Sequence, residues 1–201
     1  MLNELLKRYP ALWECKSEIL EAEKALIELY SNGGKLLCCG NGGSCADSEH
    51  IAGELMKGFL KKRQLSDGEK SGLEPEIADK LQNGLPCIPL TAFSALNTAF
   101  CNDVEPELVF AQPLWVLGEG NDMLIAISTS GNSKNVVAAA KVAKAKGMTV
   151  LALTGKKGGA LKDIADITIA VPESETFKVQ ELHLPVYHYL CAKVEAHFYE
   201  I

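Results

Sequence analysis

Lys35-Leu36-Leu37-Cys38-Cys39-Gly40-Asn41-Gly42-Gly43-Ser44 passes from an uninterrupted apolar run into a glycine-rich turn. A short apolar run bounded by glycines reads as a strand buried on both faces. A helix is predicted over 46–60, with Asp47 and Glu49 near its start, where negative charge suits the helix dipole. A second unit has the same form. An apolar strand over 123–127 enters Ser128-Thr129-Ser130-Gly131-Asn132-Ser133, and an Ala- and Lys-rich helix follows over 135–146, stopped by Gly147. Three more strands are predicted over 87–91, 149–153 and 166–171, with helices over 106–117 and 177–199. Continuously apolar strands alternating with helices specify an α/β fold, a five-stranded parallel sheet covered on both faces.

Outside this core, residues 3–31 read as one long helix. Apolar positions recur at three and four, interrupted at Pro10 and stopped by Asn32-Gly33-Gly34. Residues 61–84 change character. They are charged, with Gly68, Gly72, Pro75 and Gly84 as breakers. The segment is either a surface insertion with a short helix around 75–82 or a flap over a site. Too little chain precedes it to form a separate core, so residues 1–201 are expected to be one domain.

Composition narrows the class. The chain has 201 residues, 47% hydrophobic and 23% charged, which is the balance of an ordinary globule and excludes disorder. A net charge of −6 argues against bulk nucleic-acid binding, which needs a basic surface. No apolar run reaches the roughly 18 residues of a membrane span. Seven cysteines form no CxxC pair, and Cys38, Cys39, Cys87 and Cys101 lie in or beside apolar stretches. The N-terminus carries Glu and Lys throughout and has no signal-peptide character. The expectation is a reduced, cytoplasmic protein.

Two constellations carry chemistry. In a parallel sheet both turns lie at the carboxyl ends of strands, where ligands bind. Free backbone N–H groups and the helix dipole favour an anion there, and Ser128, Thr129, Ser130 and Ser133 supply four hydroxyls within six residues. Such a set suits the oxygens of a phosphate monoester. A single Ser-rich turn would more often be structural, because Ser and Thr are common N-caps. Nucleotide motifs fit poorly: Cys45 stands where GxGxxG needs its third glycine, and no GK[ST] follows either turn.

The second constellation is His50 and Glu54, four apart on one helix face, together with Gln180, Glu181, His183 and His188 near the C-terminus. Eight residues at about 100° each place His188 within roughly 80° of Gln180. His, Glu and a Gln oxygen are acceptable zinc ligands. A solvated His–Glu pair with surface histidines is the competing reading of the same residues.

Together these stretches resemble a sugar isomerase (SIS) domain and, within it, the phosphoheptose isomerases. Cys39 to Glu54 resembles that family's glycine loop and active-site helix, and Ile127 to Ser133 its phosphate loop. The stretches 153–159 and 179–188 resemble its later segments. The resemblance spans nearly the whole chain. It implies a three-layer α-β-α sandwich of flavodoxin-like type. Asn41, Gly42, Gly43 and Ser44 would then contact a sugar phosphate, and Ser128, Thr129, Ser130 and Ser133 would hold its phosphate. Asn102 and Asp103 match a pair that meets sugar hydroxyls. His50, Glu54, Gln180 and His188 fall where the family binds zinc, with Gln180 also near substrate. Glu54 and His188 match positions of proton transfer.

The implied activity is aldose–ketose isomerisation of a sugar phosphate, most directly sedoheptulose 7-phosphate to D-glycero-D-manno-heptose 7-phosphate. That chemistry moves a proton between C1 and C2 through an enediolate. The resemblance also implies a homotetramer, and no nucleotide. The alternative is a non-catalytic SIS module that senses sugar phosphates or binds a protein partner. Such a module has no need of His50, Glu54, Gln180 and His188 together.

Overall fold

The computed structural model describes residues 1–199. Leu36–Cys39 (β1), Cys87–Pro89 (β2), Met123–Ser128 (β3), Thr149–Thr154 (β4) and Ile167–Ala170 (β5) form one parallel sheet in the order β2-β1-β3-β4-β5. The helices are Leu2–Arg8 (α1), Lys16–Ser31 (α2), Gly43–Met56 (α3), Asp67–Lys70 (α4), Pro75–Ala78 (α5), Ser94–Asp103 (α6), Ala111–Leu117 (α7), Lys134–Ala145 (α8), Gly159–Ile164 (α9) and Thr176–Phe198 (α10). The sheet is buried on both faces, as the apolar runs require. Side chains alternate along each strand. Leu36, Cys38, Met123 and Ile125 pack against α2, α3 and α10, whereas Leu37, Cys39, Leu124 and Ala126 pack against α7 and α8. The result is the expected three-layer sandwich.

The long N-terminal helix is corrected. Residues 2–31 form two α-helices separated by a 3-10 turn over Pro10–Cys15. Pro10 has no N–H and pushes the preceding residue out of helical geometry, and Tyr9 sits at φ −128°, ψ 75°. The recurring apolar positions of this region pack within the chain, since Leu5, Leu6, Leu12, Ile19, Leu26 and Leu29 are all buried. Pro89 likewise ends β2 early, and residues 90–92 turn away as a 3-10 segment. The helix expected over 106–117 is a 3-10 turn followed by α7.

Residues 61–84 are mostly exposed and carry α4 and α5, with an antiparallel bridge between Gln64 and Gln82 closing the ends. Two residues depart from a surface insertion: Ala78 is 4% exposed and, more unusually for a charged side chain, Arg63 is 2% exposed. Cys101 also departs from its apolar reading and is exposed on α6. None of the described helices is long and apolar enough to cross a membrane.

The topology positions the site. From β1 the chain crosses by α3 to β2, on one side of the sheet. From β3 it crosses by α8 to β4, on the opposite face and in the opposite direction. The strand order therefore reverses between β1 and β3, and the crevice at their carboxyl ends is where ligands bind in such sheets. Both turns singled out in the sequence open onto it.

Candidate active site

The first turn is shaped by Gly42, whose φ of 55° with ψ of −119° is open to glycine but not to a side chain. The helix α3 starts at once, so its first turn faces the crevice. Asn41, Gly42 and Gly43 are exposed, and Ser44 is buried with its carbonyl accepting the Ser48 hydroxyl at 2.9 Å. A Cβ on Gly43 would lie 2.5 Å from the Gln180 amide nitrogen, so α10 places Gln180 directly against this turn.

The second turn answers whether its hydroxyls are mere caps. Ser133 occupies the N-cap position of α8 but makes no capping hydrogen bond. Its Oγ instead lies 2.9 Å from Ser128 Oγ, and Ser128 Oγ is 3.5 Å from Ser130 Oγ. Three of the four hydroxyls, those of Ser128, Ser130 and Ser133, thus cluster inside the loop. Its backbone is held by the 155–159 segment. Gly131, at φ 68°, packs so closely that a Cβ would meet the Gly158 carbonyl at 1.8 Å. Gly155 N–H donates to Thr129 O at 3.0 Å, and Ala160 N–H to Asn132 Oδ1 at 2.9 Å. Sequence reading matched this glycine-rich segment without finding its purpose, which is to brace the phosphate-type loop.

The two turns are joined directly. Asn41 and Asn135 exchange reciprocal amide hydrogen bonds, each 2.9 Å. Asn135 had no sequence signal, because the pairing exists only once β1 and β3 are neighbours.

His50, Glu54 and His188 are brought together. His50 Nε2 lies 3.1 Å from Glu54 Oε1 and 3.4 Å from His188 Nε2, and one donor atom from each residue falls within 4.8 Å of the others. Zinc bonds near 2.0–2.1 Å in a tetrahedral shell imply donors roughly 3.3 Å apart, which the two contacts of His50 match. Glu54 Oε2 is buried and hydrogen-bonded to nothing among the described residues, with Lys57 Nζ 3.5 Å away. Apart from that exposed ammonium, the buried oxygen accepts no hydrogen bond, and a His–Glu–His set carrying it is a donor set suited to a divalent cation. Burial and the neighbouring His50 hold the His188 imidazole below its ordinary pKa, against the pull of Glu54. A neutral imidazole is the ligating form.

The remaining sites are placed differently. Asn102 and Asp103 end α6, exposed and bonded to each other at 2.8 Å rather than to either turn. His183 is fully buried, with Nε2 at 3.2 Å from the Thr154 carbonyl, and burial lowers its pKa to about 4. It belongs to the core and not to the cluster. Beneath the cluster, Tyr187 Oη donates to Asp47 Oδ1 at 3.1 Å and lies 3.0 Å from His50 Nδ1. Burial raises the Asp47 pKa, opposed by the Tyr187 hydroxyl and by His50.

This doubly wound sheet carries paired glycine- and hydroxyl-rich turns at its switch point, and the family model of the sugar isomerase (SIS) domain matches residues 98–192. The chain is 39% identical over 182 residues to the phosphoheptose isomerase of a Roseiflexus species, covering 90% of this chain and 83% of that protein. It is 38% identical over 198 residues to the phosphoheptose isomerase of a Nitratiruptor species, covering 98% and 96%. Superposition on the phosphoheptose isomerase structure from Neisseria gonorrhoeae gives a TM-score of 0.77 at 31% identity, over 96% of this chain and 94% of that one. The protein belongs to the phosphoheptose isomerase family.

Proposed function

We propose that the protein is a phosphosugar isomerase that interconverts sedoheptulose 7-phosphate and D-glycero-D-manno-heptose 7-phosphate through an enediolate. The observation that carries this reading is the continuity of one site along the crevice. The hydroxyl loop is tied by Asn135 to Asn41 of the glycine turn, α10 sets Gln180 against Gly43 of that turn, and α3 and α10 then bring His50, Glu54 and His188 together. The curated relatives that match nearly end to end are phosphoheptose isomerases, which favours an enzyme over a sugar-phosphate-sensing module.

In this reading Ser128, Thr129, Ser130 and Ser133 hold the phosphate with neutral donors. Asn41, Gly42, Gly43 and Ser44 contact the sugar phosphate, the three exposed residues in front and the buried Ser44 behind them. Asn102 and Asp103 meet sugar hydroxyls. His50, Glu54, Gln180 and His188 hold zinc. When bound, the metal supplies Lewis-acid polarisation of the sugar's carbonyl and hydroxyl oxygens. Glu54 and His188 exchange the proton that moves between C1 and C2. Exposed Trp13, Leu20, Trp115 and Val116 support assembly, which we place at a homotetramer. Seven free thiols suit a reducing, cytoplasmic compartment.

The test is a turnover screen over five- to seven-carbon ketose and aldose phosphates, with metal analysis of the protein as purified. Sedoheptulose 7-phosphate is expected to be turned over fastest, with activity lost to a chelator and restored by zinc. Tight binding of the sugar phosphate without turnover, at saturating zinc, would favour the sensing module instead.

A further inference from the structure

The meeting of α3 and α10 holds one arrangement that metal ligation alone does not require. Tyr187 is 1% exposed, and its ring stands edge-on to His50, at 73° with centroids 5.5 Å apart. Its hydroxyl reaches two groups on α3: Asp47 Oδ1 at 3.1 Å and His50 Nδ1 at 3.0 Å. An ionised carboxylate only accepts hydrogen bonds, so the single phenol proton goes to Asp47. The phenol oxygen is then left as an acceptor, and the proton between it and the imidazole belongs to His50 Nδ1. In a neutral imidazole the lone pair therefore sits on Nε2. That atom faces Glu54 Oε1 and His188 Nε2.

We propose that Tyr187, with Asp47 behind it, is a positioning residue that fixes His50 in its Nδ1–H tautomer and aims Nε2 at the metal position. The proposal rests on reading His50, Glu54 and His188 as metal ligands. The geometry separates it from simple core filling. A tyrosine present only for its ring has no reason to sit within hydrogen-bond distance of both an acidic group and the far nitrogen of a ligand histidine. Partners of this kind fix ring orientation and raise ligand basicity at metal-binding histidines. Half-buried Asp47 completes the chain: without its acceptor the phenol proton would be free to turn toward Nδ1 and invert the tautomer.

The experiment measures zinc affinity of the full-length protein by competition with a chromophoric chelator, in wild type, Tyr187→Phe and Tyr189→Phe. Tyr189 lies two residues further along α10, but its hydroxyl bonds Glu23, away from the cluster. Tyr187→Phe is expected to bind zinc on the order of 10- to 100-fold more weakly, and Tyr189→Phe as tightly as wild type. A second readout, independent of Tyr187→Phe, is the two-bond proton–nitrogen NMR spectrum of histidine-labelled wild type, with His50 assigned by its absence in His50→Asn. His50 is expected to carry its proton on Nδ1 and to bind zinc through Nε2. Zinc affinity of Tyr187→Phe within twofold of wild type would overturn the proposal, as would a His50 that ligates through Nδ1. Wild type that takes up no zinc would overturn the metal reading itself, and the proposal with it.

Discussion

Glu54→Gln is expected to lower kcat by on the order of 100- to 10,000-fold while leaving substrate affinity largely intact. The range is that of a lost general base. Gln keeps the shape of the side chain but can neither accept a proton from carbon nor act as an anionic ligand. The same residue is asked to serve as ligand and as base, and a carboxylate bound to a cation is the weaker base. Metal content separates the two roles. Activity that falls with zinc content and partly returns when zinc is added marks Glu54 as chiefly a ligand. Activity that stays low at full zinc content marks it as the base. Near-normal turnover at full metal content would remove it from the chemistry. Ser130→Ala is the contrasting change. It deletes one neutral donor to a charged phosphate, which costs about 1.5–3 kcal/mol. The phosphate is held alike in ground and transition states, so that loss is expected in KM rather than kcat.

Arg63→Met is expected to lower the free energy of unfolding by about 3–5 kcal/mol, the cost of leaving one member of a buried ion pair alone. Arg63 Nε donates to Glu195 Oε1 at 2.9 Å, and both side chains are essentially excluded from solvent. Glu195 also accepts the Phe59 and Leu60 backbone N–H groups at 2.8 and 2.7 Å. The guanidinium meanwhile donates to the carbonyls of Glu54 and Leu55, two of the orphan acceptors at the end of α3. Removing it strands the Glu195 carboxylate and uncaps the helix that carries Glu54. The loss is measured by urea unfolding at fixed protein concentration. The double variant Arg63→Met with Glu195→Met should recover only part of it, because the Phe59 and Leu60 N–H groups lose their acceptor. A loss below about 1 kcal/mol for Arg63→Met, the range of an exposed pair, would contradict this account of the clamp.

These two residues also show where sequence reading stops. Glu54 was visible as the i,i+4 partner of His50 on one predicted helix face, but that spacing fits a solvated pair equally well, and the family resemblance rather than periodicity singled it out. Arg63 was not visible. Lys61-Lys62-Arg63 has the pattern of a solvated charge run, and its partner is 132 residues away on α10. The five strands were legible because each is a continuous apolar run between breakers. Helix α6 was not, because none of its residues is buried and it carries no apolar stripe. Pro10 signalled an interruption, but not that two helices would pack separately on either side of it. Tyr187 carries no signal of its own in the sequence. Only the approach of α10 to α3 sets its hydroxyl between Asp47 and His50. The hydroxyl count of the second turn was visible at once, whereas the decision between cap and cluster needed the position of Ser133 Oγ.

The reaction itself is most directly tested by proton NMR of sedoheptulose 7-phosphate incubated in deuterium oxide with the zinc-loaded protein. The expected result is a growing aldoheptose 7-phosphate signal set with deuterium at C2, because the proton held by Glu54 exchanges with solvent before it is returned to carbon. An unchanged ketose spectrum, from protein that has bound both zinc and the sugar phosphate, would contradict the isomerase assignment.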